Sequence, residues 1–167
     1  QWKDVRQQSQ NVGLKIEFCL RGIEKLNQEA LSGIFGDVQW ANKERLSDAL
    51  LIDLIEHFSE YNLSNSNVEL DILGNAYEYL IKHFADLTNK KAGEFYTPRS
   101  ITHLLVMILN PKENESIYDP ACGTGGMLLE CANYLKIKKK NHKTLKIYGQ
   151  EKNLTTNSIA KINMFFH

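Results

Sequence analysis

Residues 119–126 read Asp-Pro-Ala-Cys-Gly-Thr-Gly-Gly, and this glycine-rich run determines the predicted fold of the 167-residue chain. Ile117 and Tyr118 precede the run and are typical of a short strand. After the run, apolar residues recur at helical spacing, namely Leu128, Cys131, Ala132 and Leu135. A glycine loop between a strand and a helix lies at the carboxyl end of the strand, where open α/β sheets bind nucleotide-like ligands. The sequence therefore predicts an α/β fold with a ligand loop at 119–126.

Two common nucleotide-binding patterns are absent from this loop. A Walker-type phosphate loop ends in Gly-Lys-Ser/Thr, whereas Gly126 is followed by Met127, so ATP is disfavoured. The dinucleotide pattern Gly-x-Gly-x-x-Gly lacks its third spaced glycine, which leaves NAD open but unsupported. The carboxylate of Asp119 is unfavourable beside a pyrophosphate, but it suits a ligand with a positive amino group and no phosphate. S-adenosylmethionine fits this description.

Residues 146–151, Lys-Ile-Tyr-Gly-Gln-Glu, are predicted to form a second strand that ends in the carboxylate of Glu151. A carboxylate at this place can accept hydrogen bonds from both ribose hydroxyls of a nucleoside, each worth about 1.5–3 kcal/mol. Glu151 is therefore the predicted ribose ligand. The polar run 136–144 before the strand is predicted to be a solvated surface connection rather than a DNA contact.

A third element, Gly-Glu-Phe-Tyr-Thr-Pro-Arg, occupies 93–99. Thr97 is predicted to cap a helix that begins at Pro98 and runs to about Leu109. Phe95 and Tyr96 stand just before this helix, where an aromatic pair can cover an adenine ring or simply belong to the core. One apolar face of the helix is predicted to pack on the sheet, and it consists of Ile101, Leu104, Leu105 and Ile108.

The motifs at 93–99, 118–128 and 149–151 together resemble, in sequence and in order, those of the modification (M) subunit of type I restriction-modification systems. That family consists of N6-adenine DNA methyltransferases. The resemblance implies that the first two motifs hold S-adenosyl-L-methionine and that the acid of the third holds its ribose. The implied cofactor-binding residues are Glu94, Phe95, Tyr96, Thr97, Pro98, Arg99, Asp119, Gly123, Thr124, Gly125, Gly126 and Glu151.

The resemblance also implies the domain organisation. A helical N-terminal domain, predicted over 1–89, precedes the first part of a Rossmann-like S-adenosylmethionine-dependent methyltransferase domain, predicted over 90–167. The implied partners are DNA, a specificity subunit and a second copy of the modification subunit, and a restriction subunit can join them.

The catalytic motif of the family is missing from this chain. Members of the family orient the adenine amino group with an Asn/Asp-Pro-Pro-Tyr/Phe motif, whereas the three prolines here, Pro98, Pro111 and Pro120, are not adjacent. No catalytic residue is therefore predicted. We expect the chain to be a cofactor-binding piece of a longer enzyme and to be inactive alone.

Composition agrees with an intracellular protein that is not a strong general binder of nucleic acid. The chain has 20 basic and 20 acidic residues, so its net charge is zero. Three cysteines and five histidines show no metal-ligand spacing, and no metal site is predicted. With no signal peptide or membrane span, the predicted location is the cytoplasm.

Two other functions stay open from the residues alone. The first is a methyltransferase that acts on RNA or on a protein, because the cofactor half of such a fold does not specify the acceptor. The second is a non-catalytic interaction module in which the glycine loop is vestigial.

Overall fold

The computed structural model describes residues 2–64, 66–87 and 97–167, which fall into two units, Gln1–Glu69 and Leu70–His167. The first unit is helical. Its helices are α1 (Trp2–Arg6), α2 (Val12–Leu26), α3 (Gln28–Leu31) and α4 (Asp48–Ser59). The core of this unit is formed by the buried side chains of Val5, Val12, Leu51 and Ile55.

Side-chain hydrogen bonds hold the amino ends of α2 and α4. The Leu50 amide donates to the hydroxyl of Ser47, which caps α4 (3.2 Å). The next residue, Asp48, accepts from the amides of Asn11 (3.1 Å) and Val12 (2.9 Å). The amino ends of α2 and α4 are therefore joined through one carboxylate.

The second unit combines helices with a small parallel sheet, which confirms the predicted α/β class. Strand β1 (Ser116–Asp119) pairs with β2 (Lys146–Gly149), and Asp119 stands opposite Gly149. The helices are α5 (Leu70–Leu87), α6 (Arg99–Leu109), α7 (Gly126–Ile137) and α8 (Leu154–Phe166), with a 3₁₀ turn at His142–Thr144.

The strands of the second unit bury one face only. Alternate residues of a strand point to opposite faces, and Ile117 and Ile147 pack against a core of Val106, Cys131, Tyr134, Leu135 and Leu145. On the other face, Tyr118 and Tyr148 are neighbours in the parallel register and both are exposed. The buried face is the one that receives α6 and α7.

Helix α6 differs from its prediction in two respects. Pro98, not Thr97, is its N-cap, and no side chain caps it, so the predicted Thr97 cap is wrong. The predicted packing face is also wrong, because the buried residues of α6 are Thr102 and Val106, whereas Ile108 is 73% exposed. The helix meets α7 along a narrow seam, in which His103 pairs with Glu130 (2.6 Å) and Tyr134 donates to Asn110 (2.9 Å).

The predicted boundary between the domains lies at 89/90, outside the described residues, so it stays a prediction. Helix α5 belongs to the second of the two units, which divide at 69/70. In the described ranges, no helix has both the length and the apolar character that a membrane span requires.

Candidate functional site

The loop that follows β1 is tied to the segment that follows β2. The Gln150 amide donates to the Asp119 carbonyl and the Cys122 amide donates to the Gln150 carbonyl, both at 2.9 Å. Asp119 also folds its own turn, because its carboxylate accepts from the Ala121 amide (3.0 Å). Parallel strands end at one edge of the sheet, so these bonds bring the second and third sequence motifs together there.

Two glycines give the loop its shape. Gly123 (φ 55°) and Gly125 (φ 82°) lie in the left-handed region, which side chains with a Cβ rarely adopt. The Gly125 amide donates to the Cys122 carbonyl (2.8 Å) and closes the turn. Gly125 is also the N-cap of α7, and as a glycine it brings no side-chain hydrogen bond to the first turn of this helix.

Glu151 is the carboxylate of this edge. Its Oε2 accepts from the Gly123 amide (3.1 Å) and its Oε1 accepts from the Asn153 amide (2.8 Å). The side chain thus bridges the glycine loop and the start of α8. Each carboxylate oxygen can accept more than one hydrogen bond, so Glu151 keeps acceptor capacity for a ligand.

Cys122 lies in the loop, where the charges of Asp119 and Glu151 act on its thiol. Burial raises the pKa of its thiol, and the negative charges of Asp119 and Glu151 raise it further. The thiol is therefore protonated at neutral pH. Gly149 packs closely against this side chain, because an added Cβ would lie 3.0 Å from the Cys122 sulfur and 2.9 Å from Leu128 Cδ1 and would force them to shift.

Asn163 is a residue of this region that sequence reasoning missed. It lies on α8, is 1% exposed, and donates from Nδ2 to the Thr124 carbonyl of the loop (3.0 Å). Thr156, Ala160 and Asn163 form the buried stripe of α8 at helical spacing. An asparagine on a buried stripe of otherwise small residues is the signal that could have identified it.

The first motif is placed only in part. Glu94, Phe95 and Tyr96 lie outside the described residues, and Thr97, Pro98 and Arg99 are exposed. Arg99 forms an ion pair with Glu78 of α5 (3.4 Å). It also lines a hollow of about 590 Å³ with residues that include His103, Glu130 and Lys136. The ion pair of Arg99 is thus with α5.

Comparison with known proteins identifies relatives for the whole chain. Residues 68–167 match the family model of N-6 DNA Methylase. The type I restriction enzyme HindI methylase subunit of Haemophilus influenzae is 34% identical over 89% of this chain and 34% of that protein. The EcoEI methylase subunit of Escherichia coli is 40% identical over 75% of this chain and 28% of that protein.

A solved structure has the same fold over nearly the full length of the chain. It is the methyltransferase subunit of a type I restriction-modification system from Streptococcus thermophilus, with a TM-score of 0.79 and 26% identity over 99% of this chain and 36% of that chain. The present chain thus spans about a third of the length of the relatives it matches.

Proposed function

Because the chain belongs to the N-6 DNA Methylase family, we propose that it supplies the S-adenosyl-L-methionine site of a type I restriction-modification DNA methyltransferase. The similarity of the chain to methylase subunits of type I restriction enzymes supports this proposal, as does the resemblance of its three motifs to the modification subunit. The proposed reaction of the intact protein is methyl transfer from the cofactor to N6 of adenine in DNA. The observation that carries the proposal is the glycine loop held against Glu151.

The chemistry of this edge fits the proposed cofactor. Asp119 and Glu151 place two carboxylates at the loop, where a phosphate ligand would be repelled and an amino group and ribose hydroxyls would be accepted. At Gly126 even an added Cβ would meet no atom within 4 Å, so the start of α7 is open. Its first amides can receive the cofactor carboxylate, which the helix dipole also favours.

Each motif has a proposed role in holding the cofactor. Glu151 binds the ribose hydroxyls, and the loop residues Gly123, Thr124, Gly125 and Gly126 approach the methionine part through their backbone. Asp119 orders the loop and adds negative charge beside the amino group. The first motif, Glu94 to Arg99, is proposed to cover the cofactor with the rings of Phe95 and Tyr96.

Residues 90–167 are proposed to be the first part of a Rossmann-like domain. The two parallel strands, the intervening helix α7 and the loop at the carboxyl edge follow the order strand, loop, helix, strand of such domains. The mostly helical remainder of the chain is proposed to precede this domain and to contact partner subunits.

The chain itself supplies binding and orientation in the proposed mechanism. When bound, S-adenosylmethionine supplies an electrophilic methyl group on its sulfonium. The loop and Glu151 fix the position of the methyl donor. The translational and rotational entropy that the transfer step requires the donor to lose is therefore already lost when the cofactor binds. The adenine is flipped out of the duplex, and a motif elsewhere in the intact protein orients its amino group. No residue of this chain is assigned a catalytic role.

The proposed partners follow from the same family. They are DNA, a specificity subunit that selects the sequence, a second copy of the modification subunit and, in the complete system, a restriction subunit. Because the proposed substrate is DNA, the cytoplasm is the proposed location.

Calorimetric titration of the full-length protein tests the cofactor site. Saturable binding is expected with S-adenosylmethionine and not with ATP or NAD. Glu151→Ala is expected to weaken binding by about tenfold or more, equal to about 1.4 kcal/mol. Glu113→Ala is the matched control, because this carboxylate also accepts a backbone amide, that of Asn141, but lies away from the loop. Absence of binding to the full-length wild type would contradict the proposal.

A second assay tests the acceptor. Radiolabelled cofactor, the full-length protein and its specificity subunit are incubated separately with duplex DNA, RNA and protein. Label in DNA at adenine N6 is expected. Label in RNA or protein alone would retain the cofactor site but reject the proposed substrate, whereas cofactor binding without transfer to any acceptor would favour an interaction module.

A further inference from the structure

The Thr124–Gly125 peptide group of the loop is held from two sides. Its carbonyl accepts from Asn163 Nδ2 (3.0 Å), and its amide donates to the Cys122 carbonyl (2.8 Å). Because a peptide group is planar, these two bonds fix the orientation of the whole plane. The backbone ladder of α7 begins with the bond from the Leu129 amide to the Gly125 carbonyl (3.0 Å), so the Thr124 carbonyl lies one residue ahead of that bond and has a side-chain donor instead.

The orientation of the Asn163 amide follows from its partner. A carbonyl can only accept, so the nitrogen must face Thr124 and the oxygen must point away. Among the described residues, that oxygen, Oδ1, is the one buried side-chain N or O atom that has no hydrogen-bond partner. A buried, unpaired amide oxygen lowers stability. Stability alone would therefore favour an apolar residue of the same size at this position.

The surroundings of Asn163 place it behind the loop rather than elsewhere on α8. A Cβ at Gly125 would lie 3.7 Å from both the Ala160 Cβ and the Met164 Cε. Ala160, Asn163 and Met164 stand at i, i+3 and i+4, so they share one helical face. The N-cap of the same helix is Asn153, whose amide donates to Glu151. The middle of helix α8 thus lies against Gly125 of the loop. The N-cap of the helix binds the Glu151 carboxylate, which also accepts from the Gly123 amide.

We propose that Asn163 is a positioning residue. It fixes the orientation of the Thr124–Gly125 peptide plane, and through that plane it fixes the direction of the backbone amides that the loop offers to its ligand. The identity of that ligand rests on the proposed function, whereas the control of the peptide plane does not. Asn163 acts on the ligand through the loop backbone. It contributes to the geometry of binding, and its unpaired oxygen lowers the stability of the fold.

Amide hydrogen exchange of the unliganded full-length protein tests the effect on the loop. Asn163→Leu removes the donor and the unpaired oxygen and keeps the branched shape of the side chain, and Asn163→Ala, which adds no volume, accompanies it. Asn163→Leu is expected to speed exchange of the Gly125 amide by about fivefold or more while leaving the thermal midpoint within about 4 °C of the wild type. Asn157→Leu, the same change at a half-buried position of α8, and Val106→Ala, a core truncation between α6 and α7, are the controls. Neither is expected to change exchange at Gly125.

Titration of the same variants with S-adenosylmethionine tests the effect on binding. Asn163→Leu and Asn163→Ala are expected to bind about tenfold more weakly, equal to about 1.4 kcal/mol, and the controls to bind like the wild type. Unchanged exchange at Gly125, or unchanged affinity despite faster exchange, would overturn the proposal. Loss of the fold in both Asn163 variants would overturn it too, because the amide would then be required for stability. If the wild type does not bind the cofactor, the proposed function fails, and the exchange measurement still decides whether Asn163 positions the loop.

Discussion

The two units use the same device for different ends: a carboxylate that accepts two backbone amides. In the first unit, Asp48 accepts from Asn11 and Val12. In the second, Glu151 accepts from Gly123 and Asn153. Each carboxylate joins two segments that are distant in sequence, by 36 residues between Asp48 and Val12 and by 28 between Glu151 and Gly123.

The difference lies in the third partner. Lys43 forms an ion pair with Asp48 (3.0 Å), and hydrogen bonding to this lysine is the main reason why the pKa of Asp48 is lowered. For Glu151, the part of the chain that the structure describes supplies no such cation. The charge of Asp48 is matched by a lysine of its own unit, whereas a carboxylate without such a cation at a glycine loop can still attract hydroxyl groups.

The largest expected effect is the loss of binding free energy when one ribose hydroxyl is removed from the ligand. This loss distinguishes a carboxylate that binds the ligand from one that only holds the fold. S-adenosylhomocysteine and its 2′-deoxy analogue are titrated into the full-length wild type and the Glu151→Ala variant. If Glu151 accepts from the ribose, the wild type loses about 1.5–3 kcal/mol on removal of the hydroxyl and the variant loses little, which gives a coupling energy of that size.

Asp48→Ala is the matched control for this cycle, because it removes the corresponding carboxylate of the first unit. It is expected to lower stability and to leave the penalty for the missing hydroxyl unchanged. A wild-type penalty that persists in Glu151→Ala would show that another group binds the ribose, and the role of Glu151 would then be confined to the loop.

Glycines sharpen the same contrast at a smaller magnitude. Gly125→Ala forces a Cβ into the left-handed region, at a cost of about 1–2 kcal/mol, and distorts the loop, so cofactor affinity is expected to fall. Gly22 lies within α2, and a Cβ there would meet nothing within 4 Å. Gly22→Ala is therefore expected to stabilise the protein by about 0.5–1 kcal/mol. Thermal unfolding and titration of both variants check this, and unchanged affinity in Gly125→Ala would contradict the requirement for glycine.

The loop edge could be predicted because its signals are local. Glycines at 123, 125 and 126 stand between a strand pattern and a helix pattern, and the order of these elements is confirmed by β1 and α7. Glu151 was placed at the same edge because parallel strands end together. The structure brings Asp119, Gly123 and Glu151 together there, and their binding of a cofactor stays a proposal.

The rest of the site could not be predicted because it depends on tertiary contacts between segments that are distant in sequence. Periodicity identified an apolar stripe on α6, but a stripe does not say whether it is covered, and Ile108 lies exposed while Val106 is buried against α7. Threonine is a residue type that commonly caps helices, yet α6 begins at Arg99 and its N-cap is Pro98 rather than Thr97. The bond of Asn163 to Thr124 joins residues 39 positions apart, and no local pattern encodes it.

The smallest expected effect is the pH dependence of the Asp48 contact. The pKa of Asp48 in the folded protein is lowered by hydrogen bonds to Lys43 and to the Val12 amide, so its ionised form stabilises the fold. This contribution is fully present above the unfolded pKa of about 3.9 and is lost as the pH falls through the lower folded pKa. The difference in unfolding free energy between wild type and Asp48→Asn should therefore be constant from neutral pH to about pH 5 and shrink below about pH 4. Urea unfolding across this range measures it. A difference that is unchanged at low pH would mean that Asp48 acts through its shape rather than its charge, and the contrast with Glu151 would then rest on the ligand cycle alone.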